Sequence, residues 1–268
     1  MTSSNYTSKT HDINGHIDYN DTEHSTWKQL YQRQWEALSH SACEEFQAGV
    51  DALNLSPTHI PQLQIINQQL EALTGWQAAP VPALISFKAF FELLAQRRFP
   101  CATFIRRPEE LDYLKEPDIF HEVFGHCTLL TNPAFADFTQ AIGEFGVSLP
   151  QQDRPILARL YWFTIEFGLI QTEQGVRIYG GGILSSIDET HYALHSNIPV
   201  REKFNLVNVL RTPYRYDEKQ RSYFIIEDFA SLFALTDPSI LLPAFEQAKA
   251  LGPLPNRHDK PSKESWTC

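Results

Sequence analysis

Two histidines that lie five residues apart, His121 and His126, constrain the fold of this chain more than any other feature. They belong to the segment EPDIFHEVFGH. In a regular α-helix, residues five apart point about 140° away from each other, whereas the zinc-protease motif H-E-x-x-H uses a spacing of four. The imidazoles can therefore bind one metal ion only if the helix ends or is distorted between them. Gly125 is placed to allow either, because glycine tolerates the conformations that terminate helices. The alternative is two ordinary polar residues near a helix end.

A third candidate ligand, Glu166, lies inside the apolar run LYWFTIEFGL. The pattern around it predicts a buried helix over residues 155–170. Because an isolated charge is costly to bury, a carboxylate there must be neutral, paired with a cation or bound to a metal. An ion pair with Arg159 or Arg106 is the alternative to metal binding. Two imidazoles and one carboxylate are the ligand set that holds a non-haem ferrous ion with open coordination positions.

The composition is typical of a globular enzyme and argues against two other classes of protein. The 268 residues carry a net charge of −10 without a basic cluster, which disfavours nucleic acid and anionic membranes as partners. No apolar run reaches the roughly 18 residues needed to span a bilayer, and the first residues lack the apolar core of a signal peptide. We therefore expect a cytoplasmic protein. The four cysteines are far apart, so neither a disulfide framework nor a thiolate zinc site is indicated.

The hydrophobic pattern predicts a mainly α-helical single domain with a small β-sheet beside the metal. We expect a flexible N-terminal segment over residues 1–25, a catalytic iron-binding domain over 26–251 and a C-terminal tail over 252–268. Before the metal-binding segments, the pattern predicts helices over 25–52, 63–73 and 87–97, and a loop over 75–86. Short β-prone segments lie at 99–105, 176–184, 204–210 and 222–226.

Three segments, in the same order and with the same spacing, resemble a known family. EPDIFHEVFGH, YWFTIEFGL and YGGGILSS are similar to the catalytic core of the pterin-dependent aromatic amino acid hydroxylases. The similarity covers about residues 87–233, and it is greatest to the short bacterial members, which hydroxylate phenylalanine. The long animal members add a regulatory domain and an oligomerising helix, for which we expect no room here. The chain is thus expected to be a monomer or a dimer.

The resemblance implies a reaction and a set of cofactors. Fe(2+) would be held by His121, His126 and Glu166, and a tetrahydropterin, tetrahydrobiopterin or a relative of it, would be the co-substrate that supplies two electrons. O2 would then convert L-phenylalanine to L-tyrosine. The ring preference is open at this point, since tyrosine or tryptophan is the substrate of other members of the same family.

The resemblance also assigns roles to further side chains. Arg106 matches the arginine that binds the substrate carboxylate, a role that suits the planar guanidinium fork, although Arg107 beside it is a competitor. The substrate-ring pocket matches Pro117, Trp162 and Phe167. Ser185 matches a serine that helps to hold His121 and the substrate. The pterin-facing positions match Phe90, Glu122, Ala158 and Tyr161. Apart from the resemblance, the sequence pattern predicts Phe90 as a core residue, because it lies on an otherwise apolar helix.

The chain departs from its animal relatives at three places near the expected pterin site. It has Leu114-Lys115 in place of a Thr-Pro pair, Pro100 in place of a histidine, and Phe87 in place of a serine that contacts the pterin. These differences leave the identity of the natural pterin open.

A rival metal site and two other classes of function have to be weighed. His191 and His195, with Glu189, have the better helical spacing, but such a pair is usually a solvated helix face. A zinc hydrolase would use Glu122 as its general base, and the spacing of the histidines argues against it. A metal that only stabilises a scaffold would need a fourth protein ligand, for which Cys127 is the nearest candidate.

Overall fold

Helices make up most of the structure, which is a computed structural model that describes residues 6–82, 85–112 and 116–258. The α-helices, in chain order, are α1 (Asp21–Leu38), α2 (Glu44–Ala52), α3 (Leu63–Thr74), α4 (Phe87–Ala95), α5 (Pro133–Ser148), α6 (Arg154–Tyr161), α7 (Gly181–Leu184), α8 (Ile187–His195), α9 (Leu206–Arg211), α10 (Phe229–Ala234) and α11 (Pro238–Leu251). Two further segments, Phe120–Cys127 and Trp162–Glu166, are π-helical. The mainly α-helical fold class is confirmed.

The strands form two small sheets rather than the one that the sequence suggested. The strands are β1 (Gln77–Val81), β2 (Arg98–Ala102), β3 (Leu169–Thr172), β4 (Gly175–Ile178), β5 (Val200–Lys203) and β6 (Ser222–Ile226). β1 and β2 pair in parallel, and a four-stranded sheet has the order β4-β3-β6-β5, in which only the β3–β4 pair is antiparallel. β3 begins three residues after Glu166, so this sheet starts beside the candidate ligand.

An aromatic core anchors the first π-helical segment. Phe120 and Phe124 stack at 4.7 Å between ring centroids, Trp27 packs edge-on against Phe120 at 5.3 Å, and Phe46 packs in the same way against Phe124. These side chains are fully buried, and burying each contributes about 1.5–3 kcal/mol. This face of the segment is therefore held in the core, which leaves the histidine-bearing face for the site.

A flexible N-terminal segment was expected over residues 1–25, but part of it packs on the domain. Ile17 and Tyr19 are buried, and the Tyr19 hydroxyl donates a hydrogen bond to the carbonyl of Thr103 at 2.8 Å. α1 already begins at Asp21. The segment is polar overall, but the burial of the apolar side chains of Ile17 and Tyr19 holds it against the core. Residues 1–5 lie outside the described part of the chain.

The single helix expected over 25–52 is two helices, and the expected loop over 75–86 contains β1. The backbone between α1 and α2 pairs with the end of β4, where Cys43 N donates to the carbonyl of Ile178 at 2.9 Å and Ile178 N donates to that of Ser41 at 2.8 Å. Pro80 lies within β1, a strand that pairs on one side with β2. Long-range backbone pairing overrides local pattern at both places.

Three other element predictions need correction. The helix expected over 155–170 ends at Glu166, and just beyond its end Gly168 passes so close to Tyr179 that a Cβ there would lie 2.0 Å from the Tyr179 ring. The β-prone stretch 204–210 is mainly helix α9, which begins after Asn205, whose side chain accepts a hydrogen bond from Asn208 N. The stretch 176–184 is strand only to Ile178 and then becomes α7.

The described part of the expected tail, residues 252–258, also contacts the domain. Leu254 N donates to the carbonyl of Arg211 at 2.8 Å, and Arg257 pairs with Glu202 at 2.7 Å. Residues 259–268, which include Cys268, lie outside the described residues. Cys43, Cys101 and Cys127 are buried free thiols, as the cysteine spacing predicted. Within the described ranges, no helix combines the length and apolar character needed to cross a membrane.

Candidate active site

A π-helical segment brings the two histidines together although they are five residues apart. In a π-helix the hydrogen bonds run between residues five apart, so residues with that spacing lie on one face. His121 and His126 lie in the segment Phe120–Cys127, and their Nε2 atoms are 3.1 Å apart. The helix is thus distorted between them, as expected, and it does not end at Gly125. Gly125 instead allows close packing, because a Cβ there would lie 2.6 Å from the carbonyl oxygen of Gly181.

Glu166 completes a group of three metal-ligating side chains. Its Oε1 lies 3.3 Å from His126 Nε2 and 3.8 Å from His121 Nε2. For metal–ligand bonds of about 2.1 Å, adjacent ligands of an octahedral ion are about 3 Å apart, so these separations fit one face of such an ion. In the described ranges, no further His, Cys, Asp or Glu joins the group. Cys127 therefore does not close it, and the scaffold alternative loses its fourth ligand.

The carboxylate of Glu166 is charged, and its partners are the histidines rather than an arginine. Burial alone raises the pKa of Glu166, but His126, His121 and the backbone N–H of Gly182 together hold that pKa below its usual value. Arg159 donates to a backbone carbonyl instead, that of Leu210, at 2.9 Å. The alternative of a buried Glu–Arg pair is therefore wrong for Arg159, and it is also wrong for Arg106, whose partner is described below.

Ser185 forms a hydrogen bond with His121. The Ser185 hydroxyl donates to the carbonyl of Gly181 at 2.8 Å, so at 2.9 Å from His121 Nδ1 it can only accept that nitrogen's proton. This contact leaves the Nε2 lone pair of His121 free to face the other two ligands. Burial, opposed by the charge of Glu166, lowers the pKa of His121 to about 4. The imidazole is therefore neutral at pH 7, as a metal ligand must be.

Arg106 is fixed by a residue that sequence reasoning missed. Asp118, which is fully buried, accepts from Arg106 Nε at 2.9 Å and from Arg106 Nη2 at 3.0 Å. It also accepts from the backbone N–H groups of Arg106 and His121. Burial raises the pKa of Asp118, but the Arg106 charge and these hydrogen bonds outweigh burial and lower it. The sequence did contain a signal for this role. Asp118 lies three positions before His121, the spacing at which an acidic side chain caps the backbone N–H groups at the start of a helix.

A cavity of about 590 Å³ brings the expected substrate-binding residues together beside two of the ligands, His121 and Glu166. The expected substrate residues on its wall are Arg106, Pro117, Trp162, Phe167 and Ser185. Trp162 and Phe167 form an aromatic surface, with ring centroids 4.8 Å apart. Arg107 is exposed, and its guanidinium lies over the ring of Tyr6 in a separate groove. The geometry therefore favours Arg106 over Arg107 as the carboxylate-binding residue.

The expected pterin residues lie on α4, α6 and the first π-helical segment. The ring of Phe90 packs edge-on against Tyr161 at 4.9 Å, and Ala158 lies one turn before Tyr161. Burial, together with the nearby charges of Glu166 and Asp118, raises the pKa of Glu122 well above its usual value. These surroundings favour the protonated form of Glu122, which has a proton to donate.

The positions at which the chain departs from its animal relatives divide into three cases. Phe87 is half exposed, and its ring stacks on that of Phe91 with 6.3 Å between the centroids. Phe91 is the neighbour of Phe90 in the sequence. Pro100 is buried in β2 opposite Ala79. Leu114-Lys115 lies outside the described residues.

The rival metal site does not assemble. The rings of His191 and His195 are 5.1 Å apart on α8, but Glu189 is buried and accepts hydrogen bonds from the Tyr223 hydroxyl and from Gln220 N. The carboxylate that would complete the site is therefore already engaged. Among the described residues, the group of His121, His126 and Glu166 is the one able to hold a metal ion.

Comparison with known proteins agrees with the geometry. Residues 2–235 match the model of the biopterin-dependent aromatic amino acid hydroxylase family. The chain is 53% identical over 241 residues to the phenylalanine-4-hydroxylase of Pseudomonas aeruginosa, an alignment that covers 90% of this chain and 92% of that protein. A zinc hydrolase is not favoured by these matches.

Solved structures of related proteins share the fold. The cold-active phenylalanine hydroxylase of Colwellia psychrerythraea, in its apo form, superposes with a TM-score of 0.91 at 46% identity, over 94% of this chain and 97% of that one. The phenylalanine hydroxylase of Chromobacterium violaceum with bound oxidised Fe(III) gives a TM-score of 0.86 at 43% identity, over 95% and 94% of the two chains.

Proposed function

The chain belongs to the biopterin-dependent aromatic amino acid hydroxylases, and on that premise we propose that it is a phenylalanine 4-monooxygenase. It converts L-phenylalanine to L-tyrosine with O2 and a tetrahydropterin. The observation that carries the proposal is the grouping of His121, His126 and Glu166, two of which, His121 and Glu166, line a cavity that also presents Arg106 and an aromatic surface.

Ferrous iron is the metal that this donor set fits. A neutral His121 and a charged Glu166 leave a net positive charge on a bound divalent ion, and three ligands on one face leave coordination positions open. Iron and the tetrahydropterin, when bound, supply O2 activation and the two electrons that it requires. The protein positions the substrate against the metal and limits the access of bulk water.

Arg106 binds the carboxylate of the amino acid substrate. Asp118 occupies Nε and Nη2 of the guanidinium, so Nη1 and the second N–H of Nη2 are not engaged by it, and Arg106 lines the cavity. A charge-assisted pair of this kind fixes the amino acid backbone, and truncating one partner of such a pair costs about 2–5 kcal/mol. The substrate ring then lies against Trp162, Phe167 and Pro117, which select for an apolar aromatic side chain.

Phe90, Glu122, Ala158 and Tyr161 are the residues that would hold the pterin. Phe90 offers a ring face for stacking, and Ala158 and Tyr161 lie one turn apart on the helix that packs against it. Burial and neighbouring carboxylates raise the pKa of Glu122, which favours a carboxylic acid that would donate a hydrogen bond to the cofactor.

The proposal extends to the domain bounds, the cellular location and the oligomeric state of the protein. We retain the division into an N-terminal segment, the catalytic domain 26–251 and a tail, but we place the start of the packed region before Ile17 because that residue is buried. The enzyme is a cytoplasmic monomer or dimer. Size-exclusion chromatography with light scattering tests the oligomeric state.

An aerobic assay tests the proposed function. Purified protein is incubated with ferrous iron, a tetrahydropterin and L-phenylalanine, and L-tyrosine is measured by chromatography. Tyrosine is expected only when both iron and pterin are present, and zinc in place of iron is expected to give none. L-Tyrosine and L-tryptophan serve as parallel substrates, since a product formed only from one of these would replace the substrate that we propose.

A further inference from the structure

Gln220 makes a buried hydrogen bond to the aromatic wall of the substrate cavity. Its Oε1 accepts from Trp162 Nε1 at 2.9 Å. Gln220 is almost completely buried, whereas Trp162 is partly exposed on the cavity wall. An indole has a single polar atom, so this contact uses the whole hydrogen-bonding capacity of the Trp162 side chain.

The amide of Gln220 is held in one orientation by its other partners. Its Nε2 donates to the carbonyls of Arg215 and Glu218, at 2.8 and 3.2 Å, so its Oε1 must face the indole. The backbone N–H of Gln220 donates at 3.3 Å to Oε1 of buried Glu189, which also accepts from the Tyr223 hydroxyl. The acceptor that meets Trp162 is therefore fixed both by its own loop and by α8.

Stacking and hydrogen bonding restrain different motions of the indole. Tyr214 stacks on Trp162 at 4.3 Å with an interplanar angle of 16°, and Phe167 lies 4.8 Å away. These contacts fix the plane of the ring but oppose its rotation within that plane only weakly, because stacked faces can slide. The hydrogen bond to Gln220 supplies the missing restraint, since it weakens steeply when its angle changes.

We propose that Gln220 is a positioning residue that fixes the indole of Trp162 in its plane and thereby determines how the aromatic ring of the substrate is seated. The inference rests on the proposed function only in taking the cavity beside Trp162 as the seat of the substrate ring. Gln220 itself lines the cavity, but its Oε1 is engaged by Trp162 and its two amide N–H groups are engaged by the carbonyls of Arg215 and Glu218, so it acts through Trp162.

Fluorine NMR tests the proposal without any assay of activity. The chain has five tryptophans, and in protein labelled with 5-fluorotryptophan the resonance of Trp162 is assigned by its loss in Trp162→Phe. Gln220→Met keeps a side chain of similar length but removes the acceptor. We expect it to shift or broaden the Trp162 resonance alone. Gln171→Leu, a change at an exposed glutamine of β3, is the matched control and should shift none.

Two results of this experiment would overturn the proposal. One is an unchanged Trp162 resonance in Gln220→Met, and the other is a shift of all the tryptophans, which would indicate a general structural role. If Gln220→Met fails to fold, Gln220→Asn is the second variant. It keeps the amide but draws its oxygen back by one methylene group, so the Trp162 resonance is again expected to shift, and an unchanged resonance would contradict the proposal.

Steady-state kinetics links the ring position to the substrate. One hydrogen bond is worth roughly a two- to tenfold effect, so we expect Gln220→Met to raise KM for L-phenylalanine by about that factor with a smaller change in kcat. In the Trp162→Phe background the same change should have less than about a twofold effect, because the indole N–H is absent. An equal effect in both backgrounds would contradict the proposal. A wild-type enzyme that makes no tyrosine would instead refute the proposed function, and the NMR result would still decide the role of Gln220.

Discussion

Replacing Asp118 by asparagine probes the residue that organises the substrate end of the site. The carboxylate accepts two hydrogen bonds from the guanidinium of Arg106 and two from backbone N–H groups, those of Arg106 and His121. The side chain of Asp118 is completely buried, and that of Arg106 is only 7% exposed. Asparagine keeps the size of the side chain but removes the charge and replaces one acceptor oxygen with a donor.

The expected loss of stability is large because the pair is buried. Removing one partner of a buried ion pair leaves the other charge uncompensated, which typically costs about 3–5 kcal/mol. Asparagine retains one acceptor oxygen, so we expect Asp118→Asn to lower the free energy of unfolding by about 3 kcal/mol. The misplaced guanidinium should also raise KM for L-phenylalanine by about tenfold or more, while iron content stays near that of the wild type.

Urea unfolding at pH 7 measures the stability change, and the same substitution at Asp112 is its control. Asp112 pairs with Arg33 at the surface, where its side chain is 75% exposed, so Asp112→Asn should cost only about 0–1 kcal/mol. A cost below about 1 kcal/mol for Asp118→Asn, with an unchanged KM, would refute the view that this carboxylate holds Arg106 in place.

The pH dependence gives a second check on Asp118. The folded protein lowers the pKa of this group, so its contribution to stability is present above the unfolded-state pKa of about 4 and is lost as the pH falls through the folded-state pKa. The stability difference between the wild type and Asp118→Asn should therefore shrink below about pH 4. A difference that grows on acidification would contradict the assigned charge.

Three further substitutions test other parts of the site. Glu166→Ala should abolish iron retention, measured by metal analysis, and turnover, while circular dichroism stays native; a variant that keeps both would refute the ligand assignment. Arg106→Lys should raise KM for L-phenylalanine at least about tenfold because a lysine cannot pair bidentately, whereas Arg107→Lys should change KM less than about twofold. Gly125→Ala should lower the melting temperature and the iron affinity together, since its Cβ would lie 2.6 Å from the carbonyl oxygen of Gly181; an unchanged iron affinity would contradict this reasoning.

The grouping of His121, His126 and Glu166 was predictable from the sequence because each of these residues carries a local signal. His121 and His126 share one short motif, and Glu166 is conspicuous as a carboxylate in an apolar run. The need for a distorted helix also followed from the spacing alone. The cause of the distortion did not follow, because Gly125 packs against a segment more than fifty residues away in the chain.

Structural features that depend on contacts between distant segments of the chain could not be predicted from local sequence patterns. The role of Asp118 depends on Arg106, twelve residues earlier, and Asp118 reads locally as an ordinary polar residue. The stretch 204–210 has the composition of a strand, but the asparagine cap at its start and the parallel pairing of β5 with β6 place the strand earlier, at Val200–Lys203. Sheet pairing depends on contacts between remote segments, which a single sequence does not display.

The two π-helical segments explain why the metal site and the substrate wall come together. In Phe120–Cys127 the wide turn brings the two histidines onto one face. In the second segment, Phe167 N donates to the carbonyl of Trp162 at 2.9 Å, again a spacing of five, and the two rings pack at 4.8 Å. A regular α-helix would turn each of these pairs about 140° apart. Both halves of the site thus depend on the same departure from α-helical geometry, so relaxing either segment to an α-helix would disrupt metal binding or the substrate wall while leaving most of the core intact.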